Sequence, residues 1–103
     1  MSQETPVFIA PEGEVDLHSS TVLKERLESP IEAKQSKIVV DLNGVSYIDS
    51  SGLAVLIEAM QRIEGYGGAF GICGLRDNVR HIFSIARLDQ VFRIYPDRAA
   101  AQA

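Results

Sequence analysis

The sequence predicts an α/β fold, a small sheet, mostly parallel or mixed, with helices packed against it. Three observations carry this expectation. Short β-favouring runs alternate with helical patterns along the whole chain. One run, Lys37-Ile38-Val39-Val40-Asp41-Leu42, is almost continuously apolar, as a central strand covered on both faces must be. Finally, Leu53, Leu56, Ile57, Met60 and Ile63 recur at helical spacing and share one buried stripe.

The elements follow in order. Val7-Phe8-Ile9-Ala10 is a short β run closed by Pro11 and Gly13, and a brief extended piece follows at Glu14-Val15. Ser19, Ser20 and Thr21 offer an N-cap to a helix whose inward residues are Val22, Leu23 and Leu27, and Pro30 should stop it. The apolar run from Lys37 comes next, then an Asn43-Gly44 turn and a second β run from Val45 to Ile48. The striped helix begins at the Asp49-Ser50-Ser51-Gly52 turn and stops at Gly65. Ala69 to Cys73 is a further strand. Asp77 or Asn78 can cap a third helix, with Val79, Ile82, Phe83 and Ala86 inward. Val91 to Tyr95 is a last β run ended by Pro96, and the chain from about residue 97 is expected to fray. With no internal repeat and no low-complexity linker, residues 1–103 are expected to form one domain.

Composition removes several function classes. The formal net charge is −4 with no basic block, so neither nucleic acid nor an anionic membrane is expected as the main partner. The single cysteine, Cys73, can form neither an internal disulfide nor a thiolate metal site, and its apolar neighbours make it a small core residue. Met1 to Thr5 lacks a secretory pattern, and no apolar run approaches the ~20 residues of a membrane span, so the expected location is cytoplasmic.

Chemistry concentrates at the strand-to-helix junction around Asp49. A helix start offers unpaired backbone N–H groups and the positive end of the dipole, a combination suited to an anion. Two hydroxyls, Ser50 and Ser51, stand there beside Asp49, and Gly52 keeps the approach open. The residues alone leave two readings. Ser50 or Ser51 could be an ordinary N-cap, with Asp49 complementing the dipole. Alternatively a phosphate could be added, which the helix start would tolerate and a bound partner would not.

The stretch from Val39 to Leu53, VVDLNGVSYIDSSGL, resembles the signature of STAS domains, and among them that of bacterial anti-sigma factor antagonists. Gly13-Glu14-Val15-Asp16 resembles an earlier element of the family, and Gly67-Gly68, Ile72-Cys73-Gly74-Leu75 and Leu88-Asp89-Gln90-Val91-Phe92 resemble its later half. The resemblance spans nearly the whole chain. It implies a single STAS-type domain with a small mixed sheet, no catalytic residue, no metal and no cofactor of its own. It also implies a phosphorylation-controlled switch that sequesters an anti-sigma factor with serine kinase activity, of the GHKL ATPase type. A metal-dependent serine phosphatase would reverse the modification. Carried over residue by residue, the phosphoacceptor falls on Ser51, with Ser50 the second candidate, and the partner-binding positions on Asp16, Asp49, Ser50, Gly52 and Leu53. The chain departs from the family in its short segment before Val7, where a first hairpin strand would be curtailed, and in Pro11.

Other features point elsewhere with less force. The glycines from Gly65 to Gly71 follow a helix and precede a strand, the reverse of a phosphate-binding loop, which leaves helix C-capping as their role. Ser51 with His18 or His81 could be assembled into a hydrolytic triad. However, Asp49 occupies the place of a nucleophile-elbow glycine and would oppose a developing oxyanion. The arginines at 76, 80, 87, 93 and 98 read as solvated faces. Two further functions compete with the switch: a non-phosphorylated STAS scaffold subunit of a lipid-transport or stress-signalling complex, and a nucleotide or small-ligand sensor.

Overall fold

The apolar run at Lys37–Asp41 has a strand on each side, and the rest of the chain is arranged around it. The computed structural model describes residues 5–102. Their elements are β1 (Val7–Ile9), β2 (Gly13–Val15), α1 (Ser19–Glu32), β3 (Lys37–Asp41), β4 (Val45–Ile48), α2 (Ser50–Gly65), β5 (Ala69–Cys73), α3 (Asp77–Ile85), a 3₁₀ turn (Leu88–Gln90), β6 (Arg93–Tyr95) and α4 (Arg98–Gln102). The strands form a four-stranded sheet, β1-β3-β5-β6, and a separate pair, β2-β4. Among the described residues every pairing is parallel, the parallel end of the expected range.

The strand pleat sorts side chains between two faces. Ile38 and Val40 of β3, with Phe70 and Ile72 of β5, face the main core beneath α1 and α2. Val39 and Cys73 face the other side, where Ala101 of α4 covers them. The helices α1 and α2 lie together, tied by a two-point Arg62–Glu28 ion pair (2.5 and 3.5 Å) and by Lys24–Glu58 at 3.4 Å. Phe70, Phe92 and Phe83 meet edge to face, at centroid distances of 6.0 and 5.8 Å, and fasten β5, the connection into β6 and α3 together.

Several local expectations are corrected. Pro30 does not stop α1, which continues to Glu32 because Ile31 is buried and the next turn is completed by Ala33 N–H to Ser29 O and Gln35 N–H to Pro30 O. The chain leaves the helix instead at Lys34, with φ 54. Val22 is turned outward. In α2 the deepest line is Gly52, Leu56, Ala59 and Ile63, while Leu53, Ile57 and Met60 flank it half-buried. In α3 Val79 and Phe83 are buried but Ala86 is exposed, and the boundary residue is extended Arg76 rather than Asp77 or Asn78. Asn78 uses its amide to donate to Ser46 O across to β4. The segment after Pro96 does not fray, since α4 forms there and buries Ala101 against the sheet. Cys73 is a small buried residue, as expected. The glycines after α2 do cap it. Gly67, at φ 88, donates to Glu64 O and Gly68 to Ile63 O, the paired bonds of a Schellman motif. The curtailed first strand lies partly outside the described residues.

One route is used twice, although the sequence shows no repeat. A main-sheet strand leads to a strand of the β2–β4 pair, then to an aspartate, then to a helix. Asp16 ends the first passage and Asp49 the second.

Candidate functional site

The β2–β4 pairing sets Val15 opposite Ile48, so the residues that follow, Asp16 and Asp49, emerge side by side at one end of the small sheet. Asp49 N–H donates to Val15 O at 3.1 Å and locks the two exits together. Both side chains then turn to the starts of the helices they precede.

Asp49 is the N-cap of α2, with extended backbone (φ −109, ψ −172), so the cap falls on the aspartate and not on a serine. Its Oδ1 accepts the backbone N–H groups of Ser51 (2.9 Å) and Gly52 (3.3 Å), and also the Ser51 hydroxyl at 2.5 Å. The Ser51 hydroxyl bond, followed by the two backbone bonds, holds the Asp49 carboxyl below the ordinary carboxylate value. Partial burial and the neighbouring Asp16 charge push the other way. The strand register that sets Val15 opposite Ile48 is what brings the two acids to one site.

Asp16 plays the matching part for α1. The boundary residue His18 makes no side-chain cap bond, and the expected cap at Ser19 to Thr21 is replaced by Asp16 Oδ1, which accepts from His18 N–H and Ser19 N–H, each at 3.0 Å. Ser19 reciprocates, its Oγ accepting Asp16 N–H at 2.8 Å. The exchange resembles a capping box. Ser19 bonds lower the Asp16 carboxyl as well, backbone first and side chain second. Ser19 was missed as part of the site. The signal was present as acid and hydroxyl three residues apart in Asp16-Leu17-His18-Ser19.

The remaining candidates divide by depth. Ser50 is exposed and Ser51 half-buried, which separates the two hydroxyls. Gly52 is buried, so its role differs from the expected open approach. A Cβ there would come within 2.7 Å of both Val15 and Ile48, and glycine lets the helix start sit directly on the two strand ends. Leu53 is half-buried against the core. Outward from the acids, Leu17 is 69% exposed and Tyr47 46% exposed, with Glu14 opposite Tyr47 in register. The site thus presents two fixed carboxylates, one held hydroxyl and an apolar margin. Among the described residues no cluster of histidine, cysteine or acidic side chains is arranged to hold a metal, and neither His18 nor His81 bonds to Ser51.

The family model for the STAS domain matches residues 2–101. The chain belongs to the STAS domain family. This STAS domain is 28% identical over 90 residues to the anti-sigma F factor antagonist of Paenibacillus polymyxa, covering 86% of this chain and 77% of that protein. The crystal structure of TM1081 from Thermotoga maritima superposes with a TM-score of 0.87 at 25% identity, covering 93% of this chain and 83% of that one. SpoIIAA shares the fold in an unphosphorylated and in a phosphorylated form. The unphosphorylated form has a TM-score of 0.70 at 19% identity, covering 94% of this chain and 84% of that one. The phosphorylated Bacillus form has a TM-score of 0.71 at 20% identity, covering 98% and 92%. No helix among the described residues of the STAS domain is long and apolar enough to cross a membrane.

Proposed function

We propose that this STAS domain is an anti-sigma factor antagonist of the cytoplasm, a binding switch and not a catalyst. Unphosphorylated, it sequesters an anti-sigma factor that is also a serine kinase, of the GHKL ATPase type, and phosphorylation at Ser51 ends the complex. The relatives' names support the first half of this reading. The observation that carries the second is the Ser51 hydroxyl, half-buried in the first turn of α2 and held by Asp49 beside Asp16.

The chemistry follows from that geometry. The kinase supplies ATP, and the Ser51 Oγ attacks its γ-phosphorus. The Oγ–P bond forms as the bond to ADP breaks, and the hydroxyl proton passes to solvent. Before transfer, Asp49 occupies the hydroxyl hydrogen and leaves the oxygen lone pairs free to attack. Afterwards no hydroxyl hydrogen remains for Asp49 to accept. A group of about −1.5 to −2 charge stands beside two carboxylates. The dipole and N–H groups of the α2 start offset part of that repulsion, by about 0.3–1 kcal/mol, so the fold persists. A partner seated over Leu17, Tyr47 and Asp49 gains no such offset and is expelled. Hydrolysis by a metal-dependent serine phosphatase restores the hydroxyl.

The test is incubation with ATP and candidate GHKL serine kinases, with phosphate mapped by mass spectrometry on wild type, Ser50→Ala and Ser51→Ala. Phosphate on wild type and Ser50→Ala, but not on Ser51→Ala, is expected. Ser51→Asp should lose binding to the same kinase while its thermal midpoint stays near that of wild type. If Ser51→Asp binds as tightly as the unmodified protein, the switch reading fails.

A further inference from the structure

The two faces of the four-stranded sheet are covered unequally. One face lies under α1 and α2, with fourteen and sixteen residues. The other carries Phe8, Val39, Cys73 and Tyr95, and the helix laid across it is α4, with five. Tyr95 brings its ring over Gly71, which has no side chain to meet it. A Cβ at Gly71 would come within 2.8 Å of the ring.

A five-residue segment is far too short to hold helical structure by itself. Its order therefore depends on its anchors, and these lie at the two ends of β3. Lys37 Nζ donates to Ala101 O at 2.5 Å and sits 5.5 Å from the Tyr95 ring centroid. Arg98 Nε donates to Asp41 Oδ2 at 2.6 Å, and its guanidinium lies 4.8 Å from the Phe8 centroid. Asp97 caps the turn by accepting Ala100 N–H at 2.8 Å. Against these stands the backbone entropy of the ordered segment. The apolar seal is mainly the Ala101 methyl, and the Arg98 side chain is 49% exposed, so its ion pair is weakened by water and salt. The anchors are real but few.

We propose that α4 is a salt-sensitive strap that opens as a unit, uncovering Cys73 and the Val39 face while the rest of the domain stays folded. Opening at a cost below that of global unfolding is the behaviour expected of a segment with little buried surface and exposed polar bonds. Asp41 connects the strap to the rest of the molecule, because its other oxygen accepts Asn43 N–H at 2.9 Å in the turn that leads into β4. Cys73 is the one cysteine of the chain and reports directly on opening. Burial pushes its thiol up to about 11, so the covered thiol is protonated and unreactive near neutral pH.

The experiment measures the labelling rate of Cys73 by a disulfide-exchange thiol reagent, on the full chain in native buffer. Cutting one charge-assisted anchor in Arg98→Ala should speed labelling about tenfold, with the far-UV circular dichroism and urea midpoint close to wild type. Added salt should accelerate wild type more than Arg98→Ala. Equal rates in the two proteins, or labelling that rises with urea as steeply as global unfolding does, would overturn the strap. A measurement without substitutions guards against a misfolded variant. By native-state hydrogen exchange, the amides of Ala100 and Ala101 should exchange well before that of Val39, and equal protection would also overturn it.

Discussion

The hydroxyl of Ser51 donates to Asp49 Oδ1 at 2.5 Å, into the same oxygen that accepts the backbone N–H groups of Ser51 and Gly52. One carboxylate atom therefore caps a helix and holds the candidate phosphoacceptor. Helix stability and the proposed regulation meet on it.

Removing that carboxylate should be felt in the melting temperature. Asp49→Ala loses the α2 cap and is expected to melt roughly 5 °C lower, whereas Asp49→Asn keeps an oxygen acceptor and should recover most of the loss. Differential scanning calorimetry separates the two. Coincident midpoints for Asp49→Ala and wild type would mean the cap contributes nothing.

The acid limb of the stability profile follows from the same bonds. Asp49, held mainly by the Ser51 hydroxyl, and Asp16, held mainly by the Ser19 N–H, both sit below the ordinary aspartate value. A carboxyl depressed by folding stabilises fully above its unfolded value and loses that contribution as pH falls through the folded one. Urea midpoints should therefore decline below about pH 4, and the decline should be shallower in an Asp16→Asn, Asp49→Asn double variant. The comparison is a set of urea titrations at pH 7, 4 and 3. An unchanged slope would remove both groups from the account.

Two glycines of α2 should respond in opposite directions. Gly52→Ala pushes a methyl into Val15 and Ile48 and is expected to destabilise by about 1–3 kcal/mol. Gly65, at the other end, has open space around the position of a Cβ, and Gly65→Ala should be neutral or stabilising by up to about 1 kcal/mol. Chemical denaturation of both variants checks the sign of each.

Pro30 is a site of avoidable cost. It sits inside α1 without an N–H to donate to Arg26 O, yet the helix runs on to Glu32. Pro30→Ala restores that donor and should stabilise by about 1–2 kcal/mol after the greater freedom of its unfolded chain is counted. A lower urea midpoint than wild type would show that the proline ring itself packs usefully.

Local patterning determined a good deal here. The apolar run at β3 could only be a central strand, because its residues need cover on both faces. The spacing of Leu56 and Ile63 required a helix with one buried side, and the hydroxyl pair after Asp49 marked where that helix begins. Other features were decided by neighbours distant in the chain. Ile31 carries α1 past a proline because there is a core for it to enter. The last residues become α4 because Lys37 and Asp41 wait at the ends of β3. Gly52 turns out to be a packing necessity once Val15 and Ile48 lie beneath it. Asp16 and Asp49, thirty-three positions apart, share one site only because β2 pairs with β4. A sequence states its periodicities and its short-range hydrogen-bond options directly. Which distant groups come to satisfy or crowd them is settled when the strands pair, since that step alone fixes separations through space.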